Sequence, residues 1–292
     1  MSEPPRIDAD LVRRLVAAQF PQWVHLPIEP IAVQGWNNKA FHLGPDLLVR
    51  LPRAQPYVAQ VQKEQAWLPR LAEGLPLPIP APAGLGRPSD VYPWPWSIYR
   101  WIEGETLAAA PPADMAALAR DLAAFETTLN GLDTTGGPAA GPHSFWRGGP
   151  LSTYDAQTRE AIARLDGRAD AGACTALWDE AVASAWTRPP VWVHGDIAAG
   201  NLLLRDGRLS AVIDFGCLSV GDPACDLAIA WTVFTGEARA AFRAALPLDR
   251  ETWARGRGWT LWKALILVTG ASRGHPRDVA NAGRVLSEVL AD

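Results

Sequence analysis

The chain has 292 residues, 48% hydrophobic and 20% charged, which is enough to bury a full core in one large domain or two lobes. Its formal charge of −4 excludes the basic face of a nucleic-acid binder, and no run of about 18 apolar residues offers a membrane span. The start (MSEPPRIDADLVRRLV) lacks a signal-type apolar stretch, and three cysteines without metal or disulfide spacing suit a reduced, cytoplasmic protein.

In chain order, Asp8 to Ala18 has the pattern of a short amphipathic helix, with Asp8 or Asp10 as its cap. Three short strands are predicted next: Ile31–Val33, Ala40–Leu43 and Leu47–Leu51. The first link, Gln34 to Lys39, holds one glycine, Gly35, so as a phosphate loop it is weak alone. From Pro56 to Leu71 the residues Tyr57, Val61, Glu64, Leu68 and Leu71 fall on one helix face. Glu64 sits inside that apolar stripe, where a carboxylate costs free energy unless it has a partner. Pro69 is expected to end or kink the helix.

Leu75 to Pro82 alternates proline and is expected to be extended. Trp94 to Ile102 is predicted as a strand closed by Glu103-Gly104-Glu105. Helical patterns follow at Ala113–Leu129, Asp155–Leu165 and Ala173–Trp186, with an irregular Gly- and Pro-rich loop over Gly136–Leu151.

The stretch from Val191 to Ala228 is the most informative. A strand, Val191–Val193, runs into His194-Gly195-Asp196, and Asn201 follows five residues after that aspartate. Strands Leu202–Leu204 and Leu209–Ile213 flank Asp206-Gly207, a dipeptide that favours a type I′ hairpin turn. That turn pairs Arg205 with Arg208 and sets Asn201 opposite Val212, with Asp214 just past the strand end. An amide and a carboxylate delivered side by side suit Mg²⁺, which takes oxygen ligands and shares its shell with water and phosphate. Asp196 reaches the same place from the preceding loop. Taken singly, each of these residues also fits an ordinary solvated loop end.

The D-x-x-x-x-N spacing followed by Asp214-Phe215-Gly216 resembles the catalytic and metal-binding loops of the protein-kinase-like fold. His194-Gly195-Asp196, with Gly221-Asp222-Pro223-Ala224 and Asp226-Leu227-Ala228 behind it, resembles the aminoglycoside phosphotransferase family. The resemblance implies a two-lobed α+β fold, with a β-rich N-terminal nucleotide lobe (1–100), a hinge (101–106) and a mostly helical C-terminal lobe (107–292). It implies that Gly35 and Asn38 cover the phosphates, and that Arg50, paired with Glu64, aligns them. Backbone groups of Tyr99, Trp101 and Ile102 would read the adenine edge. Asp196 would be the catalytic residue, and Asn201 and Asp214 would hold Mg²⁺. Asp226 has the local pattern of a helix-capping acid, and the resemblance makes it a brace for the catalytic loop. The short span from Cys217 to Val220 leaves no room for a long activation loop.

The implied reaction is transfer of the γ-phosphoryl of ATP, or of GTP, to a hydroxyl of a small molecule. No nucleic-acid or membrane partner is expected, and the sequence specifies no oligomeric state. A nucleotide-binding pseudokinase and a metal-dependent hydrolase built on His194, Asp196 and Asp214 are the alternative readings. Arginines outnumber acids from Glu237 onward, among them Arg239, Arg243 and Arg255, and Trp253, Trp259 and Trp262 lie in the same segment. Between Ser97 and Pro142 the balance suits a cation, with Glu103, Glu105, Asp114, Asp121, Glu126 and Asp133 against Arg100 and Arg120. The basic closing segment nevertheless suggests a neutral or weakly charged acceptor rather than a polycation.

Overall fold

A computed structural model describes residues 6–292, so the first five residues of the segment read for a leader lie outside it. Helix α1 (Ala9–Gln19) starts where Asp8, not Asp10, accepts a hydrogen bond from the Leu11 N–H at 3.0 Å. Strands β1 (Ile28–Pro30), β2 (Asn38–Leu43) and β3 (Leu47–Pro52) follow, then α2 (Val58–Ala72), β4 (Pro82–Gly86) and β5 (Trp96–Arg100). The strands form an antiparallel sheet in the order β1-β2-β3-β5-β4.

The strand predicted at Ile31–Val33 is displaced. Pairing ends at Pro30, opposite Phe41. Beyond it the Gln34 side chain takes the place of a strand, donating to Ala40 O at 2.9 Å and accepting from its N–H at 3.0 Å. Nor does Pro69 stop α2, which runs on to Ala72. Pro69 is exposed, so the Gln65 carbonyl it deprives of a partner lies on the solvated side, while Leu68 and Leu71 are buried on the other.

The C-terminal part contains β6 (Glu105–Thr106), α3 (Met115–Gly131), α4 (Asp155–Ala163), α5 (Ala171–Val182) and β7 (Val191–Val193). There follow β8 (Leu202–Arg205), β9 (Arg208–Val212), β10 (Ser219–Gly221), α6 (Ile229–Thr232), α7 (Gly236–Ala245), α8 (Arg250–Val268) and α9 (Pro276–Ala291). Glu105–Thr106 pair with β8, so the last two residues of the expected hinge belong to a sheet of the C-terminal part. No helix of the described residues is long and apolar enough to cross a membrane.

Two apolar cores result. One joins α1 to the five-stranded sheet through Leu11, Leu15, Leu43, Leu51 and Trp96. The larger fills the C-terminal part and takes in Leu68 and Leu71 of α2 and Tyr99 of β5. Helix α2 therefore belongs to the sheet by sequence order and to the larger core by packing.

The basic closing segment is tied inward rather than facing a cleft. Arg239 pairs with Glu288, and Arg243 with Asp292. Arg255 and Asp222 are both buried, with Nε 2.7 Å from Oδ2 and Nη2 3.3 Å from Oδ1, and the guanidinium also donates to Thr252 and Ser184. This pair holds α8 against the turn after β10. Arg255→Met would strand Asp222 as a buried, unpaired charge. The expected cost is about 3–5 kcal/mol, measured as a fall in unfolding free energy in urea.

Candidate active site

Arg50 in β3 is the centre of the site. Its Nη1 donates to Glu64 of α2, at 3.0 Å to Oε1 and 3.3 Å to Oε2. Its Nη2 donates to Asp214, just past β9. Burial works against the guanidinium's charge, yet the Asp214 and Glu64 carboxylates raise its pKa well above the usual value. Burial likewise opposes the Asp214 carboxylate, but Arg50 holds its pKa below the ordinary value. Tyr99 donates its hydroxyl to Glu64 Oε2 at 2.8 Å. The carboxylate inside the apolar stripe thus has two partners, one of them unforeseen.

Asn38 opens β2 and is buried. The hydrogen-bonding pattern turns its amide oxygen toward Arg50, accepting from Nε at 3.1 Å and Nη2 at 2.9 Å. Its side chain thus meets the guanidinium from inside the sheet. Gly35 lies in the exposed link, and a Cβ there would find nothing closer than Asn38 O at 3.6 Å. The fold itself does not demand a glycine at that point.

The three residues expected at a hinge separate. Tyr99 is inside β5, paired with Leu48 and Pro82, with its hydroxyl on Glu64, so its side chain belongs to the ion-pair network. Trp101 donates its N–H to Asp46 O at 2.8 Å and lays its ring 4.4 Å from that of His42. Ile102 has neither backbone group paired, and the Trp101 carbonyl likewise has no backbone partner among the described residues.

The residues expected to form the catalytic loop gather opposite Arg50. The β8–β9 hairpin turns at Asp206 (φ +52°) and Gly207 (φ +73°), and Arg205 pairs with Arg208 as expected. A bulge between Leu203 and Leu204 then moves the register by one, so Leu202, not Asn201, faces Val212. The extra residue, Ser210, donates its hydroxyl to Leu203 O at 3.1 Å. Asn201 consequently bonds Ile213, which donates its N–H to Asn201 O at 2.9 Å, and comes one residue nearer to Asp214. Asn201 Nδ2 donates to Asp196 O at 2.9 Å and to Oδ2 at 3.3 Å. Asp196 itself is exposed.

His194 is fully spent in the loop. Its Nε2 donates to Ile213 O at 3.0 Å, and its Nδ1 accepts from the Asp196 N–H at 3.2 Å. A hydrolase that uses His194 as a ligand has no free ring nitrogen to work with. Asp226, buried, accepts from the N–H groups of His194 at 2.8 Å and Gly195 at 2.7 Å. It braces the loop, and the local capping role falls to Asp222, which accepts from Ala224 N–H at 3.0 Å.

Sequence reasoning missed Lys63. Buried on α2, its ammonium donates to His143 Nδ1 at 2.9 Å, His143 O at 3.2 Å and Gly216 O at 2.9 Å. Burial pulls its pKa down to about 8, against the opposing pull of Cys217 and Glu64. The signal was present, since Lys63 falls three residues after Gln60 and beside Glu64. Charge placed it on the solvated side of the wheel.

The phosphotransferase enzyme family model matches residues 27–259. The chain belongs to this family. Among solved structures, a GDP complex of a mutant aminoglycoside 2′-phosphotransferase-IIIa is 21% identical, with a TM-score of 0.74. It covers 97% of this chain and 98% of that one. A GDP and kanamycin complex of APH(2″)-IIIa is 20% identical, with a TM-score of 0.73 and coverage of 96% and 98%. The macrolide 2′-phosphotransferase MphH from Brachybacterium faecium is 21% identical, with a TM-score of 0.60 and coverage of 94% and 97%. These likenesses establish the two-lobed kinase-like fold. No curated protein sequence matches.

Gly195 explains why this loop carries His-Gly-Asp. Its φ is +82°, and a Cβ would lie 2.5 Å from Cys217 O and 3.0 Å from Arg147 Cβ. Both the backbone angle and the space reject a side chain. Gly195→Ala is expected to lose at least about 1–3 kcal/mol of stability by chemical denaturation.

Proposed function

We propose that the protein transfers the γ-phosphoryl of ATP to a hydroxyl of a small-molecule acceptor, with GTP as the other donor to test. The observation that carries this reading is the guanidinium of Arg50, suspended between Glu64 and Asp214 and facing the loop that bears Asp196 and Asn201. A nucleotide's phosphates are the ligand that such a cation, at the edge of an oxygen-rich pair, would grip. Gly35, free of any conformational duty, leaves the link above Arg50 open to close backbone approach. The unpaired backbone groups of Ile102, with the Trp101 carbonyl beside them, suit the nucleobase edge. Nucleotides and reduced thiols are both cytoplasmic, and the buried free cysteines Cys174, Cys217 and Cys225 fit that setting.

The donor set suits Mg²⁺. Asn201 spends its Nδ2 on Asp196, which leaves its Oδ1 free, and Arg50 engages Asp214 Oδ1, which leaves Oδ2 without a partner among the described residues. Held by Asn201 and Asp214, the cation would supply charge neutralisation across the phosphates. In the transfer itself, the acceptor's hydroxyl oxygen bonds the γ-phosphorus as the bond to the β-phosphate's bridging oxygen breaks. The nucleoside diphosphate leaves, and the hydroxyl proton passes to Asp196. Such transfers depend on positioning and electrostatics more than on covalent help from the protein.

The roles divide by experiment. Asp196→Asn is expected to lower turnover by roughly 10²–10⁴-fold while nucleotide affinity stays near wild type. Asp214→Ala should weaken Mg²⁺-nucleotide binding as well. Calorimetric titration with ATP and Mg²⁺ checks both, and the reverse pattern rejects the assignment.

A neutral amide at position 64 fills the same space but cannot hold the guanidinium's charge. Glu64→Gln should therefore fold normally and lose roughly 10- to 100-fold in kcat/KM. Wild-type turnover in a folded variant would show that the pair plays no part in transfer.

A further inference from the structure

Charge counting along the sequence does not describe the acceptor side. Asp121 is paired with Arg208, Asp114 caps α3, and the basic residues at Arg239, Arg243 and Arg255 are bound in ion pairs. Arg147 is different. No carboxylate pairs with it among the described residues, and its Nη1 is buried without a hydrogen-bond partner. Its guanidinium lies over the buried rings of Trp259 and Trp262, 4.9 Å from each centroid. Tyr154 stacks on Trp262 at 4.0 Å and completes the aromatic support.

The backbone fixes Arg147 firmly beside the catalytic loop. Ser219 donates its hydroxyl to Arg147 O at 2.6 Å, and the Asp222 N–H donates to Gly148 O at 2.8 Å. Arg147 Cβ packs against Gly195, next in sequence to Asp196. Burial pushes the Cys217 thiol's pKa up, with Asp196 adding to that shift and Arg147 opposing it. The two residues before Arg147, Phe145 (φ +49°) and Trp146 (φ +57°), are in the left-handed region, which costs free energy in non-glycine residues. A strained, pinned turn thus carries a cation without a carboxylate partner, its Cβ against Gly195, the residue before the one proposed to take the acceptor's proton.

Resting on the phosphotransferase reading above, we propose that Arg147 determines acceptor specificity. It receives an oxyanion, a carboxylate or phosphate, carried by the acceptor near the hydroxyl that is phosphorylated. Polycationic acceptors are repelled at the same point.

The test pairs hydroxylated probes that differ in charge: gluconate with glucose, glycerate with glycerol, glucose 6-phosphate with glucose, and kanamycin as the polycation. Each is titrated calorimetrically into the nucleotide-loaded protein and assayed for Mg²⁺-dependent release of nucleoside diphosphate. The oxyanion probes are expected to bind roughly tenfold or more tightly than their neutral partners. Arg147→Met should erase that preference by raising KM for the oxyanion probes more than it lowers kcat, and Arg147→Lys should restore part of it. Comparison of carboxylate with phosphate probes separates the two sources of charge. Equal binding of charged and neutral probes, a preference that survives Arg147→Met, or preferred turnover of kanamycin each overturns the proposal. Failure of the phosphotransferase reading looks different: no probe of any charge then stimulates diphosphate release, and Asp196→Asn changes nothing.

Discussion

The structure depends on keeping one guanidinium charged in a place that water barely reaches. Arg50 comes from β3, Glu64 from α2 and Asp214 from the turn after β9, so a single ion-pair network ties the sheet, the helix and the C-terminal hairpin. Burying a charge costs several kcal/mol unless partners compensate it, and a network missing one partner is worse than none. Here Asn38 and Tyr99 complete the set, one on the arginine and one on the glutamate. Sheet and C-terminal part are therefore held in a fixed relation by the same groups proposed to handle the phosphates.

Around that network the loops are determined by backbone geometry more than by side-chain propensity. Gly195 and Asp214 both take positive φ, +82° and +63°. The buried carboxylate of Asp226 accepts two successive N–H groups of the catalytic loop. Burial raises its pKa, while those N–H groups and His194 pull the other way. With His194 also bonded through both ring nitrogens, the loop has no slack, and Asp196 is the side chain it leaves exposed.

The parts legible in the sequence were those set by neighbours along the chain. Asp206-Gly207 announces its turn because both residues must reach positive φ, and the four-three spacing on α2 announces its buried face. Glu64 was readable as needing a partner, since a lone carboxylate in an apolar stripe is costly. What escaped depends on long-range contact. The Ser210 bulge changes the register without a proline or glycine to mark it. Lys63 and Gln60 are buried on a helix whose pattern assigns polar residues outward. The arginines of the closing segment read as a basic surface, because nothing local shows that Glu288, Asp292 and Asp222 are folded back against them.

The loop from Gly136 to Leu151 has the least regular sequence pattern and does much of the joining. Its His143 accepts from Lys63, which also binds Gly216, next but one to Asp214. Its Phe145 ring lies 5.8 Å from that of Tyr57, at the entrance to α2. Its Arg147 sits beside Gly195. One irregular segment thus touches the helix that positions Arg50, the turn that carries Asp214 and the loop that carries Asp196. On the proposed reading, strand pairing fixes the nucleotide side. On the same reading the acceptor side would rest on this loop, whose backbone is pinned by a few hydrogen bonds, those to Ser219 and Asp222 among them. A family that keeps one phosphoryl-transfer core while changing what it phosphorylates is expected to place its variation there.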